Sequence, residues 1–198
     1  MTFASQLSAA FVAIAATYDA PSITRALSWA QSLVVSYCNQ TFDLVTGDTV
    51  YITPARYRTA LLPQFPVVNV SAVSGLLPPT SGTGGLAWQP LTNFRFVAET
   101  GLIYDTTGEP GTVWTINTQS WPSMPNSLQV TYDHGYATVP QPLIDVACKL
   151  AQQYLENPAS IMQRRTGDAE ARYSGSKGVM FDERDLAILG RYTDIGIA

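Results

Sequence analysis

Charged residues are scarce in this chain. Asp, Glu, Lys and Arg make up 13% of its 198 residues, about half of the roughly 25% that is usual in soluble globular domains. Only 11 residues are Lys or Arg, and the formal net charge is −4. Proteins that bind nucleic acid through its phosphates concentrate basic residues on one face, so the composition argues against that class. It fits either a surface covered by neighbouring subunits or an ordinary monomer with a neutral polar surface.

The chain also has few of the residues that metal and catalytic sites use. Its two cysteines, Cys38 and Cys148, lie far apart, and His134 is the single histidine. This spacing provides neither a set of zinc ligands nor a disulfide framework, so we interpret both cysteines as buried free thiols. Asp133 cannot orient His134 because neighbouring strand residues point to opposite faces. We therefore interpret His134 as a turn residue after the last strand, and we expect no catalytic residue, no metal and no cofactor.

Long hydrophobic runs are missing as well. No uninterrupted apolar stretch reaches the roughly 18 residues of a membrane span, so we expect no membrane contact. Residues 11–16 are apolar, but no Lys or Arg precedes them and polar residues interrupt the surrounding segment. That pattern does not predict a signal peptide. We expect a protein that stays in a cytoplasm or leaves it inside a particle.

Hydrophobic spacing predicts two helices in the first forty residues. Apolar residues recur every three or four positions in each helix. In the first, which should end near Thr17, they are Phe3, Leu7, Phe11 and Ile14. The second is predicted over residues 21–38, after a capping segment with a proline, and its stripe is Ile23, Leu27, Ala30, Val34 and Tyr37.

Two further helices are predicted near the carboxyl terminus. One begins after Pro140, ends at Asn157-Pro158, and has the stripe Leu143, Val146, Ala147, Leu150 and Tyr154. The other begins at Asp182 or Glu183 with acids in its first turn, ends at Gly190, and has the anchors Leu186 and Leu189. Residues 164–178 between them predict a long loop or a hairpin.

The middle of the chain predicts β structure. Short runs of β-branched and aromatic residues bounded by Gly, Pro, Asn or Asp indicate antiparallel strands. They span residues 49–53, 67–70, 94–97, 102–104, 113–116 and 128–132. The predicted class is α+β, a small bundle of about four helices with an antiparallel β-sheet domain inserted between helix 2 and helix 3. The predicted domains are residues 1–40 with 137–198, and residues 41–136.

Acids and tryptophans in the β region leave a carbohydrate-binding or hydrolytic module open. Glu99 and Asp105 flank a predicted strand, and the tryptophans available to stack on sugar rings are Trp88, Trp114 and Trp121. Hydrolysis would require two carboxylates about 5 or 9 Å apart. Turn acids and core or interface tryptophans are the simpler interpretation.

The carboxy-terminal third carries an ordered series of features. A strand over residues 128–132 continues through a Tyr-Asp-His-Gly-Tyr turn and Val139-Pro140 into a helix. Asn157-Pro158, a Thr-Gly-Asp loop at 166–168 and a short closing helix follow. Nearer the amino terminus, residues 26–31 lead to Tyr37-Cys38, and a β segment contains residues 62–68. In this order the features resemble the head-to-tail connector (adaptor) proteins of long-tailed bacteriophages.

This resemblance implies a structural role in a virion. Such connectors form rings, usually dodecameric, that dock on the portal protein and extend the DNA channel towards a stopper or tail-completion protein. It therefore implies a homo-oligomeric ring in the virion neck, assembled in the host cytoplasm. It implies that DNA passes through without specific binding and that the protein is not an enzyme. A stopper or tail-completion protein remains the alternative within the same class.

The resemblance also suggests which residues meet partners. For the portal interface they are Tyr192, Ile195, Ile197, Arg164 and Arg165. For the ring interface they are Arg25, Ser28, Gln31 and Ser32 on the weakly charged face of the second helix. We expect Tyr192, Ile195 and Ile197 to gain burial only on assembly, because an apolar tail is unfavourable to expose.

Overall fold

The structure is a computed structural model of the chain. It describes residues 2–12, 17–55, 58–78, 85–106, 121–122, 124–156, 163–166, 169–172 and 181–193, without the side chains of 163–172. These residues fall into two compact units. The helical unit holds the described residues up to Asp43 and those from Tyr136 onward, and the β unit lies within Leu44–Gly135.

The helical unit contains four helices among its described residues. They are α1 (Phe3–Phe11), α2 (Ala20–Cys38), α3 (Gln141–Glu156) and α4 (Glu183–Leu189). Side-chain caps satisfy the free amides where three of them begin: Thr2 accepts from the Ser5 amide, Asp19 from Ser22, and Asp182 from Asp185. A hairpin of β8 (Gln163–Thr166) and β9 (Ala169–Arg172) follows α3. A hairpin was one of the two structures predicted for this segment, the other being a long loop.

Apolar stripes on the helices form the core of this unit. The buried members on α1 and α2 are Phe3, Leu7, Phe11, Ala26, Ala30, Val34 and Cys38. Those on α3 and α4 are Leu143, Ile144, Val146, Ala147, Leu150, Ala151 and Leu189. The α2 stripe is dominated by small side chains, which let neighbouring helices approach closely.

Two predicted core positions are wrong. Tyr37 on α2 is 41% exposed, and Leu186 on α4 is 40% exposed. The buried stripe of α2 runs through Ala30 and Cys38 instead, one position past Tyr37, and α4 buries Asp185 rather than Leu186. Tyr37 still contacts Phe181, with ring centroids 5.0 Å apart. Ile14 lies outside the described residues.

The β unit contains two antiparallel sheets in the described part of the chain. Its strands are β1 (Val45–Ile52), β2 (Thr59–Leu61), β3 (Val67–Leu77), β4 (Ala87–Pro90), β5 (Phe94–Val97), β6 (Leu102–Asp105) and β7 (Leu128–His134). The larger sheet has the order β1-β7-β3-β4 and the smaller one β2-β6-β5. With the four helices, these sheets confirm the predicted α+β class.

One face of the larger sheet is buried and the other is not. Residues alternate between the two faces along β7, where Leu128, Val130, Tyr132 and His134 are buried and the residues between them are not. We call the face that carries the intervening residues the outer face. This alternation is the usual consequence of the two-residue strand period.

Sequence patterns located most strands but missed two. The predicted strand 94–97 coincides with β5, whereas β2 and β4 were not predicted. Both are short, and β4 contains a proline, which sheets accept at their edges. The predicted strand 113–116 lies outside the described residues.

Candidate functional site

A cluster of charged side chains joins α3 to α4. Lys149 on α3 donates hydrogen bonds to the carboxylates of Asp182 and Asp185, the latter at 2.8 Å between Nζ and Oδ2. The two acids also form a reciprocal capping box, with the Asp185 amide 2.7 Å from Asp182 Oδ1 and the Asp182 amide 3.1 Å from Asp185 Oδ2. Only 5% of the Asp185 side chain is exposed. The same groups therefore begin α4 and fasten it to α3.

The protonation states of this cluster follow from its hydrogen bonds. Burial works to lower the pKa of Lys149, but hydrogen bonds to Asp182 and Asp185 outweigh it and leave that pKa above its ordinary value. The hydrogen bond from Lys149, followed by that from the Asp185 backbone, lowers the pKa of Asp182. The net shifts of Lys149 and Asp182 both favour the charged forms. These two side chains therefore form an ion pair at neutral pH.

A cleft of about 560 Å³ opens beside this cluster. It is lined by Pro142, Asp145, Val146, Lys149, Asp182, Arg184, Asp185, Ile188, Arg191 and Tyr192. Three acids and three bases share the lining, so their charges offset each other. The arrangement fits a structural contact between helices better than recognition of a charged ligand.

The predicted portal residues are only partly within the described chain. Tyr192 is half-buried, and its ring meets Phe42 and Tyr136 edge-on, with centroids 6.3 and 6.5 Å apart. Part of its burial therefore exists without assembly, contrary to the expectation. Arg164 and Arg165 lie in β8, where side chains are not described, and Ile195 and Ile197 lie outside the described residues.

The predicted ring residues share one side of α2. Arg25, Ser28 and Ser32 are exposed and Gln31 is half-buried. The Ser32 hydroxyl donates to the Ser28 carbonyl oxygen at 2.8 Å, so its polar group is satisfied within the helix. Arg25 is the single charged residue of the nineteen in α2. This side of the helix therefore combines small side chains with almost no charge.

A buried polar cluster in the β unit was not predicted. His134 is the last residue of β7 rather than a turn residue, and 3% of it is exposed. Its Nε2 lies 3.3 Å from Asp48 Oδ2, and its ring lies 5.0 Å from that of Tyr132. Asp133 indeed does not pair with it, because the Asp133 carboxylate accepts from the Gly47 amide at 2.8 Å.

Within that cluster, burial has the largest effect on the pKa of Tyr132. Burial and then the charge of Asp48 raise the pKa of Tyr132 to about 12, while the Gln64 backbone acts weakly in the opposite direction. Among the residues that the structure describes, the Tyr132 hydroxyl makes no well-aligned hydrogen bond and His134 Nδ1 has no partner. The extended alternation of β7 was the sequence signal for this cluster, because it places His134 on the same face as Tyr132.

The acids and tryptophans of the alternative, a carbohydrate-binding or hydrolytic module, lie in different environments. The Asp105 carboxylate is buried and bonded to Arg58 at 3.1 Å, while Glu99 is exposed. Trp121 is buried in the core of the β unit, Trp88 is exposed, and Trp114 lies outside the described residues. The Asp105 carboxylate is already engaged by the Arg58 guanidinium, so it is a poor candidate for a group that contacts a substrate.

Metal-ligand groups, thiols and apolar helices are the remaining features of the described residues. Within them, no group of three or more His, Cys, Asp or Glu side chains is arranged to hold a metal ion. Cys38 and Cys148 are free thiols, the first buried and the second half-buried. No helix in the described ranges is long and apolar enough to cross a membrane.

Comparison with known proteins gives matches in structure alone. No protein-family model and no curated protein matches the chain. A chain from the neck of the empty gene transfer agent (GTA) particle, computed with C6 symmetry, is similar with a TM-score of 0.52 and 16% identity, over 92% of this chain and 83% of that one. A chain from the neck of the native GTA particle, computed with C12 symmetry, has a TM-score of 0.51 and 18% identity, over 91% and 85%. At these identities the likeness shows that the fold is shared across nearly the whole chain.

Proposed function

We propose that this protein is a non-enzymatic structural component of a virion neck, a head-to-tail adaptor. In this role, copies of the chain form a ring of twelve that docks on the portal protein, extends the DNA channel and receives a stopper or tail-completion protein. The observation that carries the proposal is the shared fold with two chains from GTA necks, which covers more than nine-tenths of this chain.

The order and chemistry of the units support this role. Residues 1–40 and 137–198 would form the helical connector domain, and residues 41–136 the inserted β domain. The helix α2 presents Ser28 and Ser32 on a side with Arg25 as its one charge. Interfaces between permanent subunits are depleted in charged residues. We propose this side, together with Gln31, as the contact between neighbours in the ring.

The carboxy-terminal segment would supply the portal contact. The proposed residues are Arg164, Arg165, Tyr192, Ile195 and Ile197. Tyr192 is anchored by Phe42 and Tyr136, so it would fix the point from which the following residues reach the portal. Deleting residues 194–198 leaves this anchor intact. We expect that deletion to abolish attachment to portal-containing heads without loss of folding, and normal attachment would contradict the portal contact.

The acidic balance suits a conduit for DNA. The net charge of −4 would repel phosphates over most of the surface, so DNA would slide rather than bind. We expect weak binding to duplex DNA at physiological salt, measured by fluorescence anisotropy. Tight binding under those conditions would contradict this part of the proposal.

Position in the particle is the decisive test. Native mass spectrometry of the protein mixed with portal rings should show a complex of one portal ring and twelve copies, and electron microscopy of necks should place the chain directly below the portal. Density further towards the tail would instead identify a stopper or tail-completion protein. A chain that never associates with portal or neck would overturn the proposal.

A further inference from the structure

Two exposed aromatic rings meet on the outer face of the larger sheet. Tyr51 lies on β1 and Trp88 on β4, which are the two edge strands of that sheet. They are 54% and 41% exposed, yet their ring centroids are only 5.6 Å apart, with the planes at 58°. Each ring therefore leans inward over the central strands and leaves much of its surface open to solvent.

Neutral polar groups surround these rings. The Gln129 side-chain amide on β7 donates to the Tyr51 hydroxyl at 3.2 Å, and the hydroxyls of Thr49 and Thr131 lie 3.0 Å apart on the same face. Each threonine hydroxyl can donate one hydrogen bond and accept two, so capacity remains for a ligand. The outer face thus offers stacking surface and hydrogen-bonding groups side by side.

The charged residues of the larger sheet indicate whether its ligand is charged or neutral. The four strands of this sheet contain no Lys or Arg. Their two acids are engaged, Asp133 with the Gly47 amide and Asp48 with His134 on the opposite face. Single-stranded nucleic acids also stack on aromatic rings, but their binding sites are positively charged. A neutral ligand fits this face better.

Neutral hydroxyl groups lie beside the two aromatic residues. Thr49 and Thr131 are on the same face of the sheet and can exchange hydrogen bonds with a polar ligand. Aromatic rings with a few hydrogen-bonding groups are typical of sites for small organic ligands.

We infer that the outer face of the larger sheet binds a neutral oligosaccharide. Trp88 and Tyr51 stack against the apolar faces of sugar rings, and Gln129, Thr49 and Thr131 exchange hydrogen bonds with sugar hydroxyls. This activity is binding alone and involves no hydrolysis. It does not depend on the proposed role in a neck.

Calorimetric titration with oligosaccharides tests this inference. The probes are cellohexaose, maltohexaose and chitohexaose, with oligogalacturonate as a charged comparison. We expect at least one neutral probe to bind, and W88A and Y51A to weaken it at least tenfold. Tyr37→Ala is the matched control, because Tyr37 has the same 41% exposure but lies in the helical unit. Circular dichroism confirms that each variant is folded.

Three results would overturn the inference. They are no binding of any neutral probe at millimolar concentration, binding that W88A and Y51A leave unchanged, and equal loss of binding in Y37A. Sedimentation provides a further check across a range of protein concentrations. If wild type self-associates and W88A does not, the outer face is an interface between copies of the chain.

Discussion

At the scale of single residues, burial determines which polar groups contribute most to stability. Asp185 and His134 are both almost completely buried, and their side chains contact Lys149 and Asp48, respectively. Removing one member of a buried pair costs stability because the other loses its compensation. Removing an exposed polar side chain such as Gln152 costs less stability.

Asp185 should be the most sensitive acid of the helical unit. We expect Asp185→Ala to lower the free energy of unfolding by about 2 kcal/mol, because Lys149 and the Asp182 amide both lose an acceptor. Asp185→Asn keeps an oxygen acceptor and should lose less. Urea titration measures both, with Gln152→Ala as the exposed control on α3. An equal effect of all three variants would contradict this account.

The Lys149 cluster predicts how stability depends on pH. The folded pKa of Asp182 is lowered, so its contribution is present above the ordinary value of 3.8 and disappears as pH falls through the folded value. The folded pKa of Lys149 is raised, so its contribution is present below 10.5 and disappears as pH rises through the folded value. Unfolding of wild type and Lys149→Met at several pH values should show the loss at high pH in wild type alone. The loss at low pH should be smaller in the variant but still present, because the Asp185 amide still donates to Asp182.

Both thiols should react slowly in the folded protein. Burial raises the pKa of Cys38 to about 11, and burial followed by the charge of Asp145 raises that of Cys148 to about 11. Because the thiolate is the reactive form, iodoacetamide at pH 7.5 should modify neither residue until urea unfolds the chain. Mass spectrometry of the time course measures this. Rapid native labelling of Cys38 would contradict its burial.

At the scale of elements, local chemistry explains where helices begin. Asp19 and Asp182 precede α2 and α4 and accept hydrogen bonds from backbone amides three residues later. These signals are contained in a few adjacent residues, so the sequence predicted both starts to within one residue. Short edge strands such as β4 depend on pairing with β3, and adjacent residues do not reveal that pairing.

The turn between β5 and β6 depends on a glycine. Gly101 has φ +68°, and a Cβ there would lie 3.1 Å from the Leu62 carbonyl oxygen. Gly47 also has φ +68° but has nothing within 4 Å. We expect Gly101→Ala to cost about 2 kcal/mol or more and Gly47→Ala about 1 kcal/mol. Equal losses in urea titration would show that the contact with Leu62 is unimportant.

At the scale of the whole molecule, the type of exposed side chain distinguishes the two proposed surfaces. The exposed side of α2 is proposed to meet neighbouring copies, and the outer face of the larger sheet to meet a sugar. Both are nearly uncharged, but α2 lacks exposed tryptophan and is lined by serine. Small side chains permit close helix packing, whereas exposed rings permit stacking on a ligand.

Charge introduced on α2 should prevent ring formation. We expect the double variant Ser28→Glu with Ser32→Glu to remain folded but to form no twelve-copy complex with portal rings, because two unpaired acids would be buried in every contact between neighbours. Native mass spectrometry measures assembly. Thr46→Glu, an exposed change in the β unit, is the control. Assembly of the double variant would exclude this side of α2 from the ring contact.

The sequence by itself determined the α+β class, the limits of α2 and α4 to within a residue, most strands and the shortage of charge. Hydrophobic periodicity and helix capping depend on residues close together in the sequence, so both can be recognised without knowing the tertiary contacts. Only the tertiary structure decided that His134 pairs with Asp48, that Asp185 rather than Leu186 is buried, and that Tyr51 meets Trp88. Each of these depends on pairing or packing between residues distant in the chain, because burial and contact are set by which elements fold against one another.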